Sequence, residues 1–525
     1  MRKHLLFLLL IFFSLSIFAQ DQEQMVQNIL KEVEQHSDTH LKLNAHELFD
    51  LIGPRLVGTP KMKEANDWAV EKYKSYGIEA ENQKWGEWRA WERGITHIDM
   101  ISPWVKTLAG TQLAWNPGTS KKGVKADVVI LPDNIKDSIS FQKWLPNVKG
   151  KFVMIDIKQP TGRPDYDWEK WATPESFEKM KKERKALNKA WAENLRKTGL
   201  VKSPGLRGMT KMIEALEEAG AAGILKNYWS NGFGTDKIFW AETKNIPTVD
   251  IELEDYTMLY RMVENGTTPK LHIVAQSKDL GTAPTFNTVA KIEGSEKPDE
   301  IVLLSAHFDS WDGGTGATDN GTGTLLMMEV MRILKKYYPN PKRTIMVGHW
   351  GSEEQGLNGS AAFVEDHPEI VDNLQVVFNQ DNGTGRVKNI SGSGFLNSYN
   401  YISRWLEAVP DTVSSIDTHF PGNPARGGTD HASFVRAGAP AFNLSSLSWS
   451  YWNYTWHTNR DTYDKIVWDD LKNNVILTTV LAYMASEDPE TTSREKIVLP
   501  IDKETGEPQE WPDKIKPERN GKGGS

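Results

Sequence analysis

Glu300-Ile301-Val302-Leu303-Leu304-Ser305-Ala306-His307 is the stretch that decides the fold. It is a nearly continuous apolar run of strand length with no polar alternation, the pattern of a strand buried on both faces. A helical pattern follows from about Gly321 to Tyr338, then a second buried run, Arg343 to Trp350. A shorter helix from about Leu357 to Asp366 precedes a third run, Leu374 to Gln380. Strand and helix alternating in this way predict an α/β fold with a mixed, mostly parallel sheet covered by helices on both faces. In such a sheet the ligand site lies beyond the carboxyl ends of the strands.

The chain ahead of this unit reads differently. Gln22 to Tyr76 is helical, with a turn at Gly53-Pro54-Arg55 and an amphipathic run from Lys61 that stops at Gly77. Trp85, Trp88 and Trp91 come next, in a loop or edge strand, and packing at a domain seam accounts for them better than a ligand platform does. Short β-rich runs, Val124 to Leu131, Lys151 to Ile157, Gly223 to Leu225, Ile246 to Ile251 and Leu271 to Ala275, are separated by helices and predict an inserted domain. The charged helix from Pro174 to Lys197 needs no function beyond solvation, though a lid role is open to it. The predicted division is a signal peptide at 1–19, the first part of the catalytic domain at 20–119, the insertion at 120–276, the main catalytic segment at 277–490 and a tail at 491–525. Beyond about Leu499 the tail is polar and expected to fray.

Composition bounds the function. With 525 residues, 39% hydrophobic and 25% charged, the chain is globular and large enough for two or three packed domains. Its 62 basic and 70 acidic residues form no long single-sign block, which argues against nucleic acid as a partner. The positive start Arg2-Lys3-His4, the apolar run Leu5 to Phe18 and the polar Asp21-Gln22-Glu23-Gln24 predict a cleaved signal peptide, cut after Ala19 or after Ser16. The mature protein is then expected to be secreted or periplasmic and free of the membrane. There is no cysteine, so disulfides, thiolate metal sites and a cysteine nucleophile are excluded, and any metal must be held by imidazole and carboxylate.

Each of the three buried runs leads to a metal-competent side chain: His307, the pair Glu353-Glu354, and Asp381. Residues two apart share a face of an extended segment, so His307 can ligate while Asp309 accepts its ring N–H and fixes the tautomer. His-x-Asp alone is a weak signal in a chain with 12 His. The loop after it adds weight: Gly313, Gly314 and Gly316, then Asp319-Asn320-Gly321, a tight connection that delivers one carboxylate to the start of a helix. A carboxylate there can bridge two cations, although an ordinary helix cap would also place it so. Adjacent Glu353 and Glu354 repel unless something positive lies beside them. Glu354 would ligate, and Glu353 would take a proton from a metal-activated water and pass it to the leaving amine. His457, in Tyr454-Thr455-Trp456-His457-Thr458, is the remaining ligand candidate, with Asp461 either orienting it or starting the next helix. Imidazole and carboxylate ligands suit Zn²⁺, with Co²⁺ or Mn²⁺ as substitutes, and two such ions against three carboxylates leave about one positive charge to acidify water.

These motifs resemble the zinc exopeptidase family of bacterial leucyl aminopeptidases and plasma glutamate carboxypeptidase (carboxypeptidase Q-like). Ser305 to Asp312 is similar to the latter branch, and Gly316-Ala317-Thr318-Asp319-Asn320, Glu353-Glu354-Gln355-Gly356, the Asp381 segment, Gly428-Thr429-Asp430-His431 with Phe434, and His457-Thr458 with Asp461-Thr462 match further. The likeness spans roughly residues 40 to 485, loosely so in the insertion, which resembles a protease-associated domain. It implies one zinc on His307, Asp319 and Asp381, a second on Asp319, Glu354 and His457, Glu353 as the base, and a cis peptide bond between Asp319 and Asn320. Asp430, His431, Tyr451 and Tyr454 are candidates for substrate contacts, the tyrosines as oxyanion donors.

The expected activity is thus hydrolysis of peptides or dipeptides from a chain end, as an aminopeptidase or dipeptidase. A carboxypeptidase of the plasma glutamate carboxypeptidase type is the alternative within the family. Outside it stand a non-catalytic binding protein of the transferrin-receptor type, which lacks a working metal site, and the glutaminyl cyclases, which use one zinc; the five-ligand set argues against both. Sequence leaves the preferred chain end and the oligomeric state, a homodimer included, undecided.

Overall fold

The computed structural model describes residues 20–203, 208–381, 383–413 and 415–521; the predicted signal peptide lies outside them. In chain order the strands are β1 (Glu79–Ser102), β2 (Lys106–Thr107), β3 (Gly110–Gln112), β4 (Val124–Ile130), β5 (Lys151–Met154), β6 (Gly223–Lys226), β7 (Thr248–Ile251), β8 (Lys270–Ile292), β9 (Lys297–His307), β10 (Arg343–Trp350), β11 (Leu374–Asn379), β12 (Val387–Ser391), β13 (Asp417–His419), β14 (Ala441–Ser446) and β15 (Asn520–Gly521).

The deciding stretch is β9, and every residue from Ile301 to His307 is buried. It lies at the centre of the catalytic half, with β10 parallel on one side and β11 parallel on the other. Going from β9 to β10 and then back across to β11, the chain crosses over through Thr322–Tyr337 and then Asn358–Asp366. Right-handed crossovers in opposite directions put these helices on opposite faces, which is why all of β10 and β11 is buried as well. The reversal of direction at β9 leaves a crevice beyond its carboxyl end, the place where such sheets bind ligands. β14 extends the parallel set beside β11, and β12 and β8 pair antiparallel at the two margins. The expected fold class therefore holds.

The insertion differs in kind from a separate β-rich domain. β4, β5, β6 and β7 run parallel, β3 closes them antiparallel, and helices Ser138–Trp144, Thr210–Glu218 and Leu253–Glu264 interleave. β8 pairs with β4 near its start and with β10 near its end, so one sheet continues through both units. β1 accompanies β8 antiparallel along almost its whole length. The anticipated boundary at 276/277 thus falls inside a strand, and Ile98 and Met100 of β1 pack into the core of the insertion. A residue-by-residue reading cannot see this, because a long two-stranded ribbon carries the same local pattern wherever the domains divide.

Trp85, Trp88 and Trp91 lie on β1, all buried, in an aromatic cluster with Trp115, Phe239 and Trp311 where the two halves meet. As far as Gly521, where the described residues end, the tail is anchored: the Trp511 indole donates to the Val435 carbonyl at 2.9 Å and its ring lies 5.5 Å from that of Phe395. Arg519 pairs with Glu365 and Asp366, and β15 runs alongside β1. Two anchoring side chains outweigh a polar composition. Among the described residues no helix is long and apolar enough to cross a membrane.

Candidate metal centre

Three parallel strands in register end at one level, His307 of β9 lying beside Trp350 of β10 and Ser305 beside Asn379 of β11. The residues that leave those ends build the centre. His307 Nε2 lies 3.4 Å from Asp319 Oδ1 and 3.4 Å from Asp381 Oδ1. His457 Nε2 lies 3.4 Å from Asp319 Oδ2 and 2.8 Å from Glu354 Oε2. Asp319 therefore presents one oxygen to each imidazole and belongs to two clusters, His307-Asp319-Asp381 and Asp319-Glu354-His457, each with its ligand atoms within 4.8 Å of one another.

Several packing devices bring Asp319 there. Gly316 adopts φ +60°, and a Cβ on it would sit 2.3 Å from the Cβ of Ser310. A Cβ on Gly314 would meet the carbonyl oxygens of Thr458 and Asp461 at 2.6 and 2.8 Å, so the loop lies directly against the His457 segment. Arg55, fully buried, donates to the carbonyls of Phe308 (2.7 Å), Thr315 (2.8 Å) and Gly316 (2.8 Å) and pins both ends of the loop. Burial lowers its pKa to about 10, against the pull of Asp461, Asp309 and Asp319, so it stays charged. Asn320 Nδ2 donates to the Gln380 carbonyl at 2.7 Å, tying the loop to the end of β11. The Asp319–Asn320 peptide bond is cis.

Two supporting aspartates act elsewhere than anticipated. His307 Nδ1 lies 3.0 Å from the Asp309 main-chain carbonyl and 3.6 Å from its carboxylate, so the carbonyl takes the ring N–H. The Asp309 carboxylate is engaged from the other side, accepting the backbone N–H of Glu353 at 3.0 Å and of Glu354 at 3.3 Å. Asp461 does not orient His457; its oxygens accept the backbone N–H of Thr318 at 2.7 Å and of Asp319 at 3.0 Å. Glu353 and Glu354 come directly after Ser352 at φ +61°, in a turn whose Glu353 carbonyl receives the N–H groups of Gly356 and Leu357.

Whether these residues suit zinc can be judged from their own chemistry. At Zn–N and Zn–O distances of about 2.0–2.1 Å, tetrahedral ligand atoms stand ~3.3 Å apart, which is the spacing found between His307 or His457 and the aspartates. His307 Nε2, Asp319 Oδ2 and Glu354 Oε1 are buried and make no hydrogen bond, as atoms reserved for a cation would be. Burial drives Glu353 and Glu354 well above the usual carboxylate range, with Asp381 and Asp319 respectively adding repulsion. His307 is pushed well above its usual value by Asp381 and Glu353, although burial opposes this, whereas burial brings His457 down to about 3. Divalent cations remove this conflict by holding the carboxylates ionised and both rings neutral. Three protein ligands per cluster is the number that leaves a position for water or substrate.

The centre opens on a cleft of about 370 Å³ whose lining includes Glu353, Asp381 and Tyr451 and, as an apolar wall, Phe239, Trp240, Trp452 and Trp456. The Trp456 ring stacks 4.0 Å from that of His457. Of the four anticipated substrate residues only Tyr451 lines this cleft. Asp430 is buried and begins the helix His431–Arg436, His431 is driven to a pKa of about 4 by burial, and the Tyr454 hydroxyl pairs with that of Tyr166 at 2.7 Å. Sequence reading missed Arg55 and the aromatic wall; Trp456, next to His457, was the one visible signal for the latter.

Comparison with known proteins agrees with this fold. The profile described as Peptidase family M28 matches residues 287–482. Carboxypeptidase Q of Rattus norvegicus is 26% identical over 447 residues, 85% of each chain, and that of Homo sapiens is 24% identical over 450 residues, again 85% of each. Among solved structures, a Peptidase M28 precursor from Shewanella amazonensis superposes with a TM-score of 0.65 at 23% identity, covering 91% of this chain and 99% of that one. BSAP, a zinc aminopeptidase from Bacillus subtilis, superposes with a TM-score of 0.54 at 19% identity, covering 87% and 97%.

Proposed function

The chain belongs to peptidase family M28 and is a zinc metallopeptidase, and from this premise we propose that it is a two-zinc exopeptidase acting on peptides or dipeptides with a free amino terminus. The observation that carries the proposal is the sharing of Asp319 between two three-donor clusters at the floor of an aromatic cleft. His307, Asp319 and Asp381 would hold one zinc, and Asp319, Glu354 and His457 the other. When bound, zinc supplies Lewis acidity that polarises the scissile carbonyl and lowers the pKa of water towards neutrality.

The chain's own groups do the rest. Glu353, in neither donor cluster yet lining the cleft, takes a proton from the attacking water and returns it to the leaving amine. Burial first, and then the nearby carboxylates, hold the Tyr451 phenol far above its usual pKa. It therefore remains protonated and able to donate to a developing oxyanion. Asp309 and Asp461, through backbone N–H groups, fix the turns that carry Glu353, Glu354 and Asp319. Phe239, Trp240, Trp452 and Trp456 wall the cleft, and no Lys or Arg is among its described lining residues, so no basic side chain there offers a counter-ion to a peptide's free carboxylate. The positive start and apolar run at residues 2–18 support export as the route to its working place.

The test is a panel of aminoacyl anilides, free dipeptides and amino-blocked peptides, each with and without a chelator. Cleavage of the first two classes, abolished by chelation and restored by zinc, is the expected result. Cleavage of amino-blocked peptides alone would move the assignment to a carboxypeptidase, as the relatives are named, and activity indifferent to chelation would remove the metal mechanism.

A further inference from the structure

The two histidines of the centre are held in different ways. His307 ends a central strand, and its Nδ1 lies 3.0 Å from the Asp309 carbonyl. His457 sits in a loop at φ +58°, a left-handed conformation that disfavours a residue with a Cβ. Its Nδ1 is buried and has no hydrogen-bond partner among the described residues. A metal-ligating imidazole is usually oriented through its second nitrogen. His457 lacks that device, so other contacts must hold its backbone and its ring.

Most of them come from the insertion. Residues 236–240 lie along 457–459 as a strap, with Lys237 paired antiparallel with Thr458. The Ile238 N–H donates to the His457 carbonyl at 2.7 Å, and the Asn459 N–H to the Asp236 carbonyl at 2.9 Å. The Asn459 side chain closes the pairing, accepting the Asp236 N–H at 3.0 Å and donating to the Asp236 carboxylate at 3.1 Å. The turned backbone of His457 is thus bonded to the strap at the residue itself and two residues on. Its ring meets Phe239 of the strap edge-on, 5.1 Å between centroids, and stacks 4.0 Å from Trp456. The strap supports that stack too, since Lys237 Nζ rests 4.1 Å from the Trp456 centroid.

We propose that the strap is part of the metal centre: it positions His457 for the cluster with Asp319 and Glu354, so that this zinc site is complete only while the insertion is docked. This rests on the two-zinc reading above and adds the element on which one of the two sites depends. The other donors are braced differently. His307, Asp319 and Glu354 are held from the catalytic half, by the Asp309 carbonyl, the Asp461 carboxylate and the Asp309 carboxylate respectively. Phe239 is accordingly a positioning residue, acting on the cation through His457. The coupling runs both ways: a zinc that needs His457 in this pose must in turn tighten the strap on the catalytic half.

The experiment titrates zinc into the metal-free full chain by calorimetry, where the wild type should show two binding steps. Phe239→Ala should weaken one step by about tenfold to a hundredfold, the usual scale for losing a supporting contact at a metal site, and leave the other step unchanged. Phe239→Leu, which keeps an apolar side chain against the imidazole, should stay near the wild type. Hydrogen exchange on the wild type supplies a measurement that needs no variant. Zinc should slow exchange of the Ile238 amide while that of Leu225, in β6 of the insertion's own sheet, keeps its rate. Equal weakening of both steps, or of neither, in a Phe239→Ala chain that still unfolds cooperatively without zinc overturns the proposal. So does an Ile238 amide indifferent to zinc, and either result leaves the two-zinc reading standing. A wild type that binds a single zinc overturns both.

Discussion

In Glu353→Gln, kcat is expected to fall by about two to four orders of magnitude, the usual contribution of a positioned acid–base group, while zinc stays at the wild-type level. The substitution keeps the shape of the side chain and removes only its ability to accept and return a proton. Nothing that shapes the turn depends on the carboxylate, because the contacts there are main-chain: the Glu353 N–H to Asp309 and the Glu353 carbonyl to Gly356 and Leu357. Glu353 also lies outside both donor clusters. Kinetics on one dipeptide together with metal analysis of the same preparation measure both halves. Retained turnover would take the base role from Glu353, and loss of zinc would make it a ligand.

Asp319→Ala should do the opposite, removing both metals and reducing activity to background. Each cluster would keep only two protein donors, and the two imidazoles would lose the one carboxylate they share. The penalty should exceed the roughly 10–100-fold that loss of a supporting hydrogen bond costs a metal site. Asp381→Ala is the informative contrast, because Asp381 belongs to only one of the two clusters. The fold should persist in both variants, since Asp461 grips the loop through the N–H groups of Thr318 and Asp319. Wild-type zinc content in Asp319→Ala would disprove the shared ligand.

The proposed ligands were legible in the sequence for a physical reason. In a parallel sheet the functional side chains come just after the carboxyl ends of buried strands, and such strands announce themselves as apolar runs, so His307, Glu354 and Asp381 could be found one strand at a time. Asp319 was recognisable because a glycine-rich loop before a helix is a local feature. Pairing across the chain could not be read. Arg55 holds a loop more than two hundred and fifty residues away, and nothing around Gly53-Pro54-Arg55 says so. The Asp309 carboxylate was read as a partner of His307, and that of Asp461 as either orienting His457 or starting the next helix, because spacing suggests only local partners, yet both serve backbone N–H groups on other segments. Phe239 and Trp240 reach the cleft from the insertion, and β8 makes one sheet of two units; both depend on long-range register that composition does not encode.

The most direct test is an anomalous difference map collected at the zinc edge from crystals of the active enzyme. Two peaks are expected on either side of the Asp319 carboxylate, one against His307 and Asp381 and the other against Glu354 and His457. A single peak, or none within coordination distance of Asp319, in crystals whose dissolved protein still cleaves peptides would contradict the account.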